Sequence, residues 1–222
     1  MNVEPSAVLP DSVYGELRER ILSGVERPGS SITESAVALR HGVARPTAKL
    51  AIERLVTEGL LRREAHRAAR VPTLERADIE DLFDTRAVVE AAAVEALAHG
   101  GSVPPEVVAA HRILLARAEH GEPFAEADIA FHRAIGSGQP SPRLAHLHAL
   151  LMGEIELCIA QVQSAGLLTA GEIATQHQGI LDAILAGDAD AAAELTRSHI
   201  HGSRDRLVAH HAAQPREPER HL

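Results

Sequence analysis

Tryptophan is absent from this chain of 222 residues, and one tyrosine and three phenylalanines are its only aromatic side chains. A core without large rings must draw its elements close together on Ala, Val, Leu and Ile, and hydrophobic residues at 45% of the chain suffice for that. Closely packed helices are the expected result. Cysteine is nearly absent too. Cys158 alone excludes an intrachain disulfide, suits a reducing compartment, and in an apolar helical stretch reads as a core thiol rather than a nucleophile. No apolar run reaches the roughly 20 residues of a membrane span, and "MNVEPSAVLPDSVYGELR" lacks the basic-then-apolar order of a signal peptide. A cytoplasmic protein with no membrane partner is expected. The length fits one small domain followed by one of medium size.

Charge is uneven along the chain. The whole carries −9, which repels a polyanion, yet Arg40 to Pro72 holds 8 Lys and Arg against 3 Asp and Glu, net +5. A basic run is often only a solvated surface, so it needs a motif to mean more. Around it, "SVYGELRERILSG" spaces Val13, Leu17, Ile21 and Leu22 as an amphipathic helix, with Asp11 as a plausible cap and a stop at Gly24. "PGSSI" reads as a turn. "TESAVALRHG" is a short helix capped by Thr33 and closed at Gly42, and "VARPTAKLAIERLVTEG" is the next, with Pro46 in its opening turn, where a missing N–H costs nothing. Two short helices joined at a glycine make a helix-turn-helix. "LLRREAHRAARVP" then alternates well enough for two short strands around a tip near His66 and Arg67. The assembly expected from residues 11–72 is a winged helix-turn-helix.

From Leu74 onward the pattern is helical throughout. Six segments, separated by Gly and Pro, are enough for a bundle over residues 73–211. In one of them, "EADIAFHRAI", Asp128 and His132 are four residues apart and so leave the same helix face, beside Ile129, Phe131 and Ile135. A carboxylate and an imidazole so placed are either a hydrogen-bonded pair or two metal ligands, and the second reading needs further histidines from elsewhere. Residues 1–10 are expected to be flexible, and the polar tail, residues 212–222, disordered.

The order "ILSGVERPGSSITESAVALRHGVARPTAKLAIERLVTEGLLRR" resembles the DNA-binding domain of the GntR family of bacterial transcription regulators. That resemblance implies double-stranded operator DNA as partner. By position, Arg45 and Lys49 match basic residues of the recognition helix, Thr47 is a phosphate or base contact beside them, and Arg67 matches the basic wing tip, with Arg40 close by. Ala44, Leu50 and Ala68 depart from the family's usual Ser, acidic residue and Gly. The later segments "DLFDTRAVVEAAAVEALA", "D...FH..I" and "H..IL.AI..GDA..A......H" resemble the FCD effector domain of the FadR-like branch of the same family.

For the histidines, this resemblance implies a metal site of Asp128, His132, His177 and His199. Three imidazoles and one carboxylate favour a divalent transition metal, zinc first and Ni, Mn, Co or Fe after it, over Ca or Mg. His146, His148, His201, His210 and His211 match no ligand position and are expected to be solvated or incidental. Arg86 matches an arginine that faces the effector cavity and suits a small carboxylate effector, although an intrahelical pair with Glu90 serves equally well as its role. Ser141 stands where Asn is common. The implied function is a homodimeric, metabolite-responsive transcription regulator, and not an enzyme. The alternative is a His-rich helical metalloenzyme of hydrolase type, against which stands the absence of any further acid or base placed near the ligands in the sequence.

Overall fold

The computed structural model describes residues 10–65 and 67–213. The expected flexible segment before Pro10, the tip residue His66 and the tail from position 214 lie outside the described residues. Two compact units result: one runs to Leu74 and takes in Ala149–Ala160, and the other comprises Glu75–His148 with the chain from Gln161 onward.

The first unit contains α1 (Pro10–Leu22), β1 (Ser31–Ile32), α2 (Glu34–His41), α3 (Arg45–Thr57) and β2 (Ala69–Arg70). α1 begins one residue before Asp11, which therefore sits in its first turn rather than capping it. Thr33 caps α2, its hydroxyl accepting from the Ala36 N–H at 3.2 Å, and Gly42 closes the helix at φ 64°, a conformation that costs a Cβ-bearing residue dearly. Val13, Leu17 and Ile21 of α1 pack on Val37 of α2 and Ala48, Ile52 and Leu55 of α3. The wing differs from expectation. β2 pairs antiparallel with β1, Ser31 opposite Arg70 and Ile32 opposite Ala69, and the expected first arm of the hairpin is reduced to one bridge between Arg62 and Arg70. β1 is too short to show any alternation, so the sequence reads there only as a turn; Ile32 joins it to the core.

The second unit is helical: α4 (Arg76–Gly100), α5 (Pro105–His120), α6 (Ala125–Gly138), α7 (Pro142–Ser164, whose middle belongs to the first unit), α8 (Ala170–Leu185) and α9 (Ala189–Ala213). α9 is still helical at Ala212 and Ala213, which sequence reading assigns to the tail. Ser141 caps α7, accepting from the Leu144 N–H at 3.4 Å, so its departure from Asn leaves a capping residue in place. A capping box opens α8: Thr169 Oγ1 accepts from the Glu172 N–H at 3.2 Å, and the Glu172 carboxylate accepts from the Thr169 N–H at 2.8 Å. α4 runs along α9, α5 lies against α6 and α8, and α8 against α9. Ala93, Ala110, Ala134, Ala183 and Ala192 line these contacts, with Phe131 as the largest ring among them. Small side chains let the helices approach, as the scarcity of aromatics requires. Among the described residues no helix is long and apolar enough to cross a membrane.

Within the first unit the middle of α7 lies so close to the turn after α3 that a Cβ added at Gly153 would fall 1.9 Å from the Glu58 carbonyl oxygen and 2.6 Å from the Gly59 carbonyl carbon. Alanine normally stabilises a helix interior over glycine by about 1 kcal/mol. At Gly153 the neighbours are backbone and cannot swing away, so Gly153→Ala is expected to reverse the sign and cost about 1–3 kcal/mol. Urea unfolding measures this, and a variant more stable than the parent would contradict the close approach.

Candidate metal centre and recognition helix

Three helices bring four side chains to one buried point. α6 supplies Asp128 and His132 from one face, α8 supplies His177, and α9 supplies His199; all four side chains are buried, and each offers a ligand atom within 4.8 Å of the others. His132 Nε2 and His177 Nε2 each lie 3.3 Å from Asp128 Oδ1, and His199 Nε2 lies 3.2 Å from His132 Nε2. The sequence therefore identifies a set that the fold does bring together.

The tautomers can be read from the outer partners. His132 Nδ1 is 2.6 Å from Glu90 Oε2, and a carboxylate only accepts, so Nδ1 carries a proton and Nε2 is the nitrogen that faces the centre, a lone-pair donor once it is deprotonated. His199 Nδ1 donates to Gln176 Oε1 at 2.7 Å, leaving its Nε2 in the same state. Two nitrogen lone pairs 3.2 Å apart repel, and either a proton shared between the rings or a metal cation relieves that repulsion. Asp128 Oδ1 and both ring nitrogens of His177 are buried without a hydrogen-bond partner, because their 3.3 Å approach lacks hydrogen-bonding geometry. Such atoms are costly unless a further group satisfies them. Donors about 2.0–2.1 Å from a shared cation stand ~2.9 Å apart at right angles and ~3.4 Å apart at the tetrahedral angle. The separations of 3.2 and 3.3 Å fall in that interval, so the residues fit a transition metal. Phe131 stacks flat on His177, ring centroids 3.8 Å apart, and fixes that ring's plane.

Burial pushes His177 from the ordinary imidazole value of 6.5 down to about 4, against the pull of Asp128. Burial, with the neighbouring rings of His177 and His132, also holds His199 well below its usual range. His132 moves the other way: burial lowers it most, but the charge and hydrogen bond of Glu90 together with the contact to Asp128 outweigh that and raise it. The signs follow from linkage. His177 and His199 bind protons more weakly folded than unfolded, so their contribution is complete above pH 6.5 and is lost as pH falls, for His177 through about 4. His132 contributes below pH 6.5, and that contribution fades as pH rises through its folded value. With two groups against one, metal-free protein is expected to lose stability between pH 6.5 and 4, on the order of 3 kcal/mol from His177 alone. His177→Gln should flatten that slope in melting curves taken across the range; an unchanged slope would contradict the assignment.

Arg86 and Glu90 do form the intrahelical pair, with Arg86 Nε 2.7 Å from Glu90 Oε1 and both side chains buried. Arg86 Nη2 is nevertheless left buried without a partner, so the pair does not use up the guanidinium. One expectation is overturned: His148 is buried, not solvated, and its Nε2 approaches Glu90 Oε1 at 3.4 Å. In "HLH", His146 and His148 lie two apart on a helix and cannot share a face, which was the available signal that one of them points inward. His111 was not singled out either. It is buried beside Phe131 and His177, with Nε2 donating to Gln178 Oε1 at 2.9 Å.

In the first unit, Arg45, Thr47 and Lys49 lie in the opening turns of α3, Arg45 and Lys49 exposed and Thr47 half-buried. Lys49 Nζ is 3.5 Å from Glu53. Leu50, beside Lys49, is exposed as well. Arg40, at the end of α2, is held at 2.8 Å by Glu26, and Arg67 is exposed, 3.0 Å from Glu64. All five are surface cations or polar groups, and Arg40 reaches a ligand only by releasing Glu26.

The model of the bacterial regulatory proteins, gntR family, matches residues 9–71, and that of the FCD domain matches residues 81–202. Among curated proteins, the HTH-type transcriptional repressor GlaR of Escherichia coli is 28% identical over 199 residues, covering 84% of this chain and 90% of that protein. The HTH-type transcriptional regulator YdhC of Bacillus subtilis is 29% identical over 82 residues, and the match spans 37% of each chain. A transcriptional regulator GntR from Rhodococcus sp. RHA1, solved by crystallography, superimposes with a TM-score of 0.75 at 27% identity, covering 90% of this chain and 97% of that one.

Proposed function

Because the chain belongs to the gntR family of bacterial regulatory proteins and carries an FCD domain, we propose that it is a homodimeric regulator whose operator affinity answers to a small carboxylate held in a metal-dependent site. Family membership makes it a transcription regulator rather than an enzyme, which disposes of the hydrolase alternative. The observation that carries the finer reading is the buried quartet Asp128, His132, His177 and His199 from three helices, with its unsatisfied atoms. These residues would hold a divalent transition metal, zinc first and Ni, Mn, Co or Fe after it. When bound, such an ion supplies a Lewis-acid position for a carboxylate oxygen. Arg86 Nη2, buried and unpartnered, supplies a charged donor for the same ligand. Differential binding of that ligand by two arrangements of the dimer shifts the balance between them, and with it the fit of two DNA-binding units to two half-sites.

In the DNA-binding unit, Arg45, Thr47 and Lys49 read or grip the major groove from the start of α3, with Arg40 on the neighbouring helix and Arg67 at the wing. Selection from random-sequence DNA is expected to return a short inverted repeat, bound by a dimer. On that site Arg45→Ala or Lys49→Ala should weaken binding by about 1–3 kcal/mol if the contact is to a base, and uniformly across sequences, with a shallower salt dependence, if it is to a phosphate. Fluorescence anisotropy titrations at several salt concentrations separate the two. Parent-like affinity in both variants would remove α3 from the role of recognition helix.

A further inference from the structure

Of the three imidazoles in the quartet, only His132 turns its outer nitrogen to a carboxylate. His199 Nδ1 faces the neutral amide oxygen of Gln176, and His177 has no hydrogen-bond partner on either nitrogen among the described residues. The carboxylate is Glu90, in α4, fully buried. Its Oε2 receives His132 Nδ1–H at 2.6 Å, while Oε1 is held by Arg86 Nε at 2.7 Å and approached by His148 Nε2 at 3.4 Å. Groups on α4 and α7 thus lock one carboxylate and aim it at a ring on α6. The guanidinium of Arg86 offsets its charge, so Glu90 can polarise His132 without adding net charge to the interior. A ring so anchored cannot rotate, and a full negative charge on its Nδ1 side makes Nε2 a stronger donor.

Resting on the metal reading above, we infer that Glu90 is a positioning residue for the metal: it fixes His132 in the Nδ1–H tautomer and aims Nε2 at the cation. No resemblance assigns Glu90 this part; on sequence it is only the partner of Arg86 four residues on.

The test uses zinc alone, added to the full chain after chelator stripping, with affinity measured by competition against a chromophoric chelator. Glu90→Gln keeps volume and an acceptor oxygen but removes the charge. It also leaves Arg86 without its counter-charge, so Arg86→Met/Glu90→Gln is made beside it. Both are expected to bind zinc 10- to 100-fold more weakly, a loss of about that size following removal of an outer partner. Nitrogen-edited NMR of the zinc-loaded parent is expected to show a strongly deshielded proton on His132 Nδ1, moved upfield in the variants. If the parent itself takes up no zinc, the metal reading fails and Glu90 goes with it. If the parent binds zinc and both variants bind it equally well, the role of Glu90 alone is overturned. Should neither variant fold, the parent's spectrum decides: His132 without a proton on Nδ1 in the zinc-loaded state overturns the inference.

Discussion

Replacing His199 with alanine is expected to abolish the rise in melting temperature that zinc gives the parent protein. A ligand that binds the folded chain and not the unfolded one stabilises by about 2.7 kcal/mol at a hundred times its dissociation constant and by about 4.1 kcal/mol at a thousand times. For a chain of this length that is a rise on the order of 5 to 15 °C. Asp128, His132, His177 and His199 come from three helices, so an ion held among them ties α6, α8 and α9 together, and removal of one ligand breaks the tie. His132→Ala should act in the same way. His146→Ala, at an exposed position, should leave the shift intact. The shift should also shrink as pH falls below the imidazole range, because protons compete for the same Nε2 lone pairs. Protein purified without chelator that carries no metal, and that zinc, nickel and manganese all fail to stabilise, would reduce the quartet to a buried polar cluster.

Arg86→Met is expected to destabilise the chain by about 3–5 kcal/mol, the range seen when one partner of a buried ion pair is removed and the other is left uncompensated. Arg86 and Glu90 are both buried, and among the described residues their mutual contact and the rings of His132 and His148 offset the charge on Glu90. Burial alone would raise the Glu90 carboxyl, and in the parent Arg86 and His132 hold it well below the usual range; with Arg86 gone, Glu90 either keeps a buried charge that is poorly compensated or takes up a proton, and either outcome costs stability. The double variant Arg86→Met/Glu90→Leu removes both charges and should recover most of the loss, since apolar replacements of a buried pair are often neutral or better. Urea unfolding of the two variants gives the comparison. A single variant within about 1 kcal/mol of the parent would mean that Arg86 is not confined as the 2.7 Å contact indicates.

Much of the architecture is local and could be read from the chain. Thr33 and Gly42 mark the ends of α2 by the chemistry of caps, Pro46 marks the opening of α3, and the six helices of the second unit are punctuated by Gly and Pro where their backbone conformations or missing donors demand it. Asp128 and His132 declare themselves because a helix repeats every 3.6 residues and four positions bring side chains back to one face. Scarcity of aromatics announces the close, alanine-lined packing. β1 escaped detection because two residues carry no period.

What the chain by itself determined, then, is most of what neighbours within about one or two turns set: the ends of α2 and α3, helix faces, the basic segment around α3 and, with the family resemblance, the four candidate ligands. Only the tertiary structure decided which charged groups stand around those four side chains. Glu90 and His132 are 42 residues apart and His148 and Glu90 are 58 apart, and no periodicity relates positions at such distances. Their meeting depends on how α4, α6 and α7 pack, as does the difference between a solvated His146 and a buried His148 on the same helix. The reason is physical: a helix tells which side chains share a face, but the partner helix that covers that face sets the burial, the tautomer and the charge each one meets.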